Sequence, residues 1–205
     1  MSQPNYTDNI DFDGKWKTLI EALFEEFILF FLPELYADID FTYPAKFLKQ
    51  ELTEIAGTTG KKGEMITDNL IEVRFNSGEN RYVLIHIEVH GYENVDFGEK
   101  MFSYLCRIYD KHPHEITTLA ILIAERLPKN YSSFHHQLGR TKISYEFPVY
   151  IIRDQEEALL LQDDNPFALA VLACRQIYQT RKQFEQRMIL KSQLFQLIWK
   201  RHFVA

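Results

Sequence analysis

The sequence feature that most constrains the fold is a pair of segments that flank a single turn signal. Residues 66–75 and 81–90 are rich in β-branched and aromatic side chains, and the Asn-Ser-Gly-Glu-Asn run at 76–80 is typical of a hairpin turn. Because side chains alternate along a strand, one face of this hairpin collects an uninterrupted apolar set, namely Ile71, Val73, Phe75, Val83, Ile85, Ile87 and Val89. The sequence therefore predicts an antiparallel hairpin with one apolar face.

The opposite face of the hairpin carries most of its polar side chains. It collects Asp68, Leu70, Glu72, Arg74, Tyr82, Leu84, His86, Glu88 and His90. Asp68 and Glu88 are symmetric about Gly78, so the predicted register seats them opposite each other. Two carboxylates about 5 Å apart repel by roughly 3 kcal/mol at an effective dielectric of about 20. A hard divalent cation such as Mg²⁺ or Mn²⁺ removes that cost, so we expect a metal site here.

The repulsion also gives an expectation for stability. If the two carboxylates face each other without a partner, neutral substitutions such as Asp68→Asn and Glu88→Gln relieve the repulsion. We therefore expect these substitutions to remove metal binding and to leave the metal-free fold at least as stable.

Two helices are predicted before the hairpin. An apolar stripe from Trp16 to Phe31 keeps helical spacing until Pro33, which is expected to end the helix. A second helix is expected to begin near Pro44, and Glu51 interrupts its apolar stripe. Glu51 is either a carboxylate at the helix edge that reaches solvent or a third acidic group directed at the hairpin.

The second half of the chain is predicted to contain a helix, two buried strands and a final helix. Apolar residues between 97 and 108 keep helical spacing, with Lys100 and Arg107 on neighbouring faces. Short apolar runs at 119–124 and 147–152 are typical of strands covered on both faces. The segment between these strands is expected to be a loop, with the adjacent histidines His135 and His136 at the surface.

The C-terminal segment is basic and amphipathic. Asn165 and Pro166 are typical of an N-cap and first helical residue. From residue 175 to 205, seven Lys and Arg residues stand against Glu185 alone in a chain of net charge -6. This tail either pairs with the acidic body or attracts nucleic acid. Its broad apolar face predicts packing on the body or against a second copy, and we expect a homodimer.

Composition indicates one globular domain in a reducing compartment. The chain has 205 residues, of which 46% are hydrophobic, which is enough for one well-buried core. Cys106 and Cys174 form no metal or disulfide pattern, and both are expected to be core thiols. No apolar run is long enough to span a bilayer, so the protein is expected to be cytoplasmic with no membrane partner.

Several of these segments together resemble the recombination-promoting nuclease and transposase group of the PD-(D/E)XK superfamily. The likeness covers most of the chain and rests on the Trp-containing first helix and residues 47–52, 68–70, 85–90, 101–104, 107 and 165–168. The resemblance implies an α/β fold with a restriction-endonuclease-like mixed β-sheet flanked by helices. It further implies a nuclease-like core at 1–165 and a helical segment at 166–205.

The same resemblance implies a metal-dependent DNA endonuclease associated with recombination or transposition. Asp68 and Glu88 would hold Mg²⁺ or Mn²⁺, His90 would orient the attacking water, and Glu51 would join them. DNA phosphates would be neutralised by Lys61, Lys62 and Arg107. His90 stands where the superfamily pattern has Lys and this group commonly has Gln. Neutral imidazole accepts a proton, yet it lacks the fixed charge of an ammonium group.

Two other functions remain open from the sequence. The first is a catalytically impaired DNA-binding or assembly protein that keeps the nuclease fold, which the histidine at position 90 favours. The second is a site for Mn²⁺ or Zn²⁺ built from His86, Glu88 and His90, which share one strand face. Against this last reading, a histidine such as His86 is more often packed or hydrogen-bonded than bound to a metal.

Overall fold

The predicted hairpin forms the centre of a mixed β-sheet. The computed structural model describes residues 12–48, 66–76, 82–90, 96–112, 115–123 and 126–179. Its helices are α1 (Phe12–Ala22), α2 (Phe24–Phe31), α3 (Pro33–Tyr36), α4 (Phe97–Lys111), α5 (Glu157–Gln162) and α6 (Pro166–Gln179). Its strands are β1 (Lys46–Phe47), β2 (Ile66–Arg74), β3 (Tyr82–His90), β4 (Glu115–Leu122), β5 (Ser133–Leu138), β6 (Thr141–Glu146) and β7 (Val149–Ile151).

Five of the strands form the main sheet in the order β1-β2-β3-β4-β7. β2 runs antiparallel to both of its neighbours, β1 and β3, whereas β3, β4 and β7 run parallel to one another. The β2–β3 register pairs Asp68 with Glu88 and Ile66 with His90, so the predicted hairpin register is confirmed. The sheet is therefore mixed and flanked by helices, as expected for the α/β class.

The apolar face of the hairpin lies in the main hydrophobic core. All seven apolar residues predicted for this face are buried there, together with side chains from α1, α2, α6 and β4. Aromatic rings join the helices, since the ring centroids of Phe27 and Phe167 lie 5.3 Å apart and those of Trp16 and Phe167 lie 6.1 Å apart. Burial of this continuous apolar surface is the main driving force for the fold.

The opposite face of the sheet is covered by α4, which connects β3 to β4. Leu70 and Leu84 pack there against Tyr104 and Ile108, and Phe97 and Met101 pack in a neighbouring cluster with residues of β4. The predicted helical stripe between 97 and 108 is thus confirmed. Asp96 caps the helix by accepting a hydrogen bond from the Glu99 backbone amide at 3.1 Å. The middle of this face, with Leu70, Leu84, His86 and Glu88, is consequently buried.

The N-terminal helix differs from the single run that the spacing predicts. The chain leaves helical geometry at Leu23, where φ is -130° and ψ is 48°, and this break separates α1 from α2. Pro33 is the first residue of α3 instead of a simple stop. The reason is local, because proline lacks an N–H donor and fits the first helical position after Leu32, whose backbone is not helical.

The helix predicted to begin near Pro44 is wrong at its start. Residues 46–47 form the edge strand β1 and pair with β2, and the Leu48 amide donates to the Leu70 carbonyl at 2.8 Å. Pairing with β2 supplies backbone hydrogen bonds that the local side-chain pattern does not predict. The remainder of the predicted helix, including Glu51, lies outside the described residues.

The predicted loop between the two buried strands is also wrong, because it contains a second sheet made of β5 and β6. This ribbon turns at Gly139 and Arg140, with Gly139 at φ 60° in the first central position, where a two-residue hairpin accommodates glycine best. His135 and His136 are both exposed, so the predicted surface pair is confirmed.

The C-terminal helix α6 starts as predicted and completes the main core. The Asn165 side chain accepts a hydrogen bond from the Phe167 amide at 2.9 Å and donates one to the Glu26 carbonyl, also at 2.9 Å. Cys174 is buried as expected, but Cys106 is exposed because it faces away from the buried stripe of α4. Residues 180–205, which carry the dimer prediction, lie outside the described part.

None of the described helices combines the length and apolar character needed to cross a bilayer.

Candidate functional site

The centre of the candidate site is an ion pair between Glu88 of β3 and Lys100 of α4. The Lys100 ammonium nitrogen donates to Glu88 Oε1 at 2.7 Å. The Glu88 side chain is completely buried, and Lys100 retains only 17% of its side-chain exposure. A buried carboxylate needs a charged or hydrogen-bonded partner, and Lys100 meets that need. The pair joins the central strand to the helix that covers it.

Asp68 occupies the backbone position directly across from Glu88 on the neighbouring strand. Residues at paired positions of an antiparallel ladder project to the same side of the sheet. The backbone register therefore brings Asp68 and Glu88 to the same place on one face, as the sequence predicts. The side chains of Asp68 and His90 lie outside the described part of the structure.

Lys100 is the site residue that sequence reasoning missed. The sequence predicts only that Lys100 lies on a face next to the apolar stripe of α4, although its spacing contains a further signal. Lys100 lies three residues after Phe97 and four before Tyr104, which places it on the buried side of α4. A lysine on such a stripe needs a partner, and the nearest strand supplies Glu88. Its ammonium also lies 5.4 Å from the centroid of the Tyr104 ring, within cation–π range.

This ion pair changes the stability expected of a substitution at Glu88. The sequence predicts that Asp68 and Glu88 repel each other, so that neutralising one of them leaves the metal-free fold at least as stable. In the structure, Glu88 already has a positive partner. Glu88→Gln would therefore leave the Lys100 ammonium largely buried without its counter-charge, which destabilises a protein.

His86 lies beside this pair as a buried, neutral residue. The imidazole is fully buried and meets the Tyr104 ring edge-on, with ring centroids 5.4 Å apart. Neither ring nitrogen has a hydrogen-bond partner among the described residues. Burial, and secondarily the positive charge of Lys100, lower the pKa of His86 to about 3. His86 is therefore neutral at physiological pH and behaves as a core side chain.

The lowered pKa of His86 predicts an acid-sensitive fold. As the pH falls below about 6.5, the unfolded chain binds a proton at this residue before the folded chain does. The lowered pKa of His86 therefore does not reduce stability at neutral pH. As the pH falls from about 6.5 to 3, it lowers the free energy of unfolding by up to about 1.4 kcal/mol per pH unit. We expect His86→Phe, which keeps a ring against Tyr104, to flatten this dependence.

Urea unfolding at pH 7, 6 and 5 in the presence of chelator measures this effect as the difference between the two proteins. Other acidic groups contribute equally to both curves, so the difference isolates His86. Parallel curves for the wild-type protein and His86→Phe would contradict a buried neutral histidine.

The other residues proposed for the site are spread more widely. Arg107 is exposed and lies about two turns beyond Lys100 on α4. Lys61, Lys62 and Glu51 lie outside the described residues. Within the described part of the chain, no group of three or more His, Cys, Asp and Glu residues is arranged to hold a metal ion. The structure thus brings Glu88 and Lys100 together, with Asp68 opposite Glu88 in the backbone register.

Comparisons of the chain with protein-family models, with curated proteins and with solved structures return no match. The resemblance drawn from the sequence motifs therefore stays a prediction. Two observations indicate the chemistry of the site, namely the register of the hairpin and the Glu88–Lys100 ion pair.

The donor chemistry at the paired positions is suited to a hard divalent cation. Glu88 is a carboxylate held on a central strand, and Asp68 is a second carboxylate residue at the facing position. Mg²⁺ is commonly bound by one or two carboxylates, with water and substrate phosphate oxygens completing its coordination. The fit is limited to these two residues, so a bound ion would depend strongly on both.

Proposed function

We propose that the chain is a metal-dependent DNA endonuclease that hydrolyses phosphodiester bonds and acts in recombination or transposition. The observation that carries this proposal is the pairing of Asp68 with Glu88 on two central strands. These two residues would hold Mg²⁺ or Mn²⁺. A bound divalent cation would offset the negative charge that develops on the phosphate during hydrolysis.

The residues of the chain have distinct roles in this proposal. The completely buried Glu88 carboxylate is held in one position by its hydrogen bond from Lys100. His90 is two residues further along the same strand, and its imidazole would accept a proton from the attacking water. The exposed Arg107, near the C-terminal end of α4, would neutralise DNA phosphates together with Lys61 and Lys62.

Lys100 is relevant to position 90, where this chain has histidine and the superfamily pattern has lysine. Histidine there removes the fixed positive charge that the superfamily pattern supplies with lysine. Lys100 brings an ammonium group to within 2.7 Å of Glu88 from a different element, α4. A fixed charge is thus present beside the proposed metal ligand, so the histidine at position 90 does not leave the site without one.

A catalytically impaired DNA-binding or assembly protein is the second candidate. The Glu88–Lys100 pair favours it in one respect, since the ammonium already compensates the buried carboxylate in the metal-free chain. A fold with this compensation is stable without a bound ion. The two candidates agree on DNA as the partner and differ on whether the chain cleaves it.

A cleavage assay separates the two candidates. The purified full chain is incubated with supercoiled and single-stranded DNA in Mg²⁺, in Mn²⁺ and in chelator. We expect cleavage with at least one metal and none in chelator. Glu72→Gln is a matched control, because Glu72 lies on the same strand as Asp68 but pairs with Lys46 at 3.6 Å. The Glu72→Gln variant should cleave DNA at the wild-type rate.

Each outcome of this assay decides between the proposals. DNA binding without cleavage under any metal condition supports the impaired protein and contradicts the nuclease. Cleavage that persists in chelator contradicts a metal-dependent reaction. The absence of both binding and cleavage contradicts both candidates.

A further inference from the structure

The segment 126–145, which leads into the β5–β6 ribbon and contains most of it, carries an excess of positive charge in an acidic chain, and Arg140 and Lys142 of this segment lie in the ribbon itself. Residues 126–145 contain two arginines and two lysines and no acidic residue, whereas the whole chain has a net charge of -6. The four basic residues are Arg126, Lys129, Arg140 and Lys142. Glu146, at the end of β6, is the first acidic residue after this stretch. Such a local excess attracts polyanions even when the protein as a whole is acidic.

The inner face of the ribbon is anchored near its base, whereas Leu138 near the turn is 74% exposed, and the outer face is polar and exposed. On the inner face, the Phe134 ring stacks on Phe102 of α4, with centroids 4.5 Å apart and planes 9° apart. The alternation along β5 and β6 turns the other set of side chains outward. The exposed members of the outer face are His135, Gln137, Lys142, Ser144 and, at the base of the ribbon, Glu146. Arg140 is exposed in the turn at the opposite end.

A close backbone contact fixes the base of the ribbon to α4. A Cβ atom on Gly98 would clash with the Ser133 carbonyl and would lie 2.8 Å from the Asn130 carbonyl oxygen. The Asn130 side chain also donates to the carboxylate of Asp96, the cap of α4, at 3.4 Å. Lys100 lies on the same helix two residues after Gly98. The ribbon is therefore held at the end of α4 that carries the candidate site.

We infer that the β5–β6 ribbon is a duplex DNA-binding surface that holds the substrate beside the Glu88–Lys100 site. Six residues in each strand give the ribbon a length of about 20 Å, and a two-stranded ribbon fits the major groove, which is about 12 Å wide. Arg140 and Lys142 contact phosphates, and Gln137 and Ser144 donate hydrogen bonds along the groove. This inference rests on the proposed function for its choice of DNA as the partner.

The test measures duplex affinity for an Arg140→Ala/Lys142→Ala variant. Both side chains are exposed, so the substitutions should leave the fold intact. We expect the variant to bind a labelled DNA duplex at least about tenfold more weakly at low salt. We also expect the slope of log affinity against log salt concentration to become shallower by about 2, because two phosphate contacts are lost. Fluorescence anisotropy across a salt series gives both values.

The matched control is Lys17→Ala/Lys46→Ala, which also removes two positive charges. Lys17 lies on α1, and Lys46 lies on β1, which is the edge strand of the main sheet at the other end from β7. We expect this control to bind DNA with nearly wild-type affinity. Equal losses in both double variants would show that only overall charge matters and would overturn the inference. Unchanged duplex affinity in the ribbon variant, or a loss confined to single-stranded DNA, would overturn it as well.

Failure of the ribbon and failure of the nuclease give different results. If duplex binding depends on the ribbon but the wild-type protein does not cleave, the inference stands and the nuclease proposal fails. If the protein cleaves DNA and the ribbon variant binds normally, the nuclease stands and the inference fails. If the wild-type protein binds no DNA, both fail.

Discussion

Glu88→Gln is expected to reduce metal-dependent DNA cleavage by about 100-fold or more, because it removes a negative charge from the proposed metal site. The same substitution is expected to lower the free energy of unfolding by about 3 kcal/mol. The Glu88 side chain is completely buried, and its Oε1 accepts the Lys100 hydrogen bond at 2.7 Å. Loss of the carboxylate leaves the ammonium without a counter-charge, while the shape of the side chain is nearly unchanged.

A double-mutant cycle distinguishes the structural role of Glu88 from its catalytic role. Lys100→Met keeps a long side chain on α4, and we expect it to destabilise the fold because it removes the ammonium group that donates to the buried Glu88 carboxylate. In Glu88→Gln/Lys100→Met neither charge remains, so the double variant should recover much of the lost stability. It should still fail to cleave DNA. A merely destabilised enzyme would instead regain cleavage together with stability.

The cycle is read by urea unfolding in chelator and by DNA cleavage in Mg²⁺ and Mn²⁺. If the stability losses of the two single variants simply add in the double variant, Glu88 and Lys100 do not interact and the ion pair is wrong. If the double variant cleaves at the wild-type rate, Glu88 is not a required metal ligand. Either result is informative, because stability and cleavage are measured on the same four proteins.

The hairpin could be predicted because its determinants are local. Alternating apolar residues select one face for the core, and the symmetry of the two segments about Gly78 in the sequence predicts which residues pair. A slip of one residue would turn the buried set toward the wrong side, so the pattern itself enforces the register. This is why the sequence alone led to the pairing of Asp68 with Glu88, which the β2–β3 register then confirmed.

The surroundings of the site could be predicted only in part, because they depend on how separate elements pack. The stripe on α4 indicated a buried face, but nothing local stated that this face covers the polar side of the hairpin. Lys100 contacts Glu88 because α4 packs against β3 at the position of Glu88. The same reasoning applies to His86, whose burial follows from its contact with Tyr104. The burial of Glu88 and His86 therefore depends on the packing of α4 against the sheet.

The missed strands share another physical cause. β1 has only two residues, and its backbone hydrogen bonds to β2 stabilise it more than any propensity of its own. β5 and β6 have polar outer faces, so apolar alternation is weak there, and the signal that remained was Gly139 in a two-residue turn. Short or polar strands are thus identified by their partners, which a single sequence does not reveal.

Gly98→Ala is expected to lower the free energy of unfolding by more than about 3 kcal/mol, although alanine favours helices over glycine by about 1 kcal/mol. The added methyl group would meet the Ser133 and Asn130 carbonyls, and both are backbone groups that cannot rotate aside. Steric overlap therefore outweighs helix propensity at this position. The substitution should also loosen the β5–β6 ribbon and weaken DNA binding.

Gly139→Ala provides the matched control for this prediction. Gly139 has open space around it, and its positive φ of 60° should cost an alanine about 1–2 kcal/mol through backbone strain alone. Urea unfolding should therefore rank Gly98→Ala as clearly less stable than Gly139→Ala. A Gly98→Ala protein that is as stable as the wild-type protein would show that α4 and β5 do not approach closely. The anchoring of the ribbon beside the candidate site would then be wrong, because that close approach is what holds the two together.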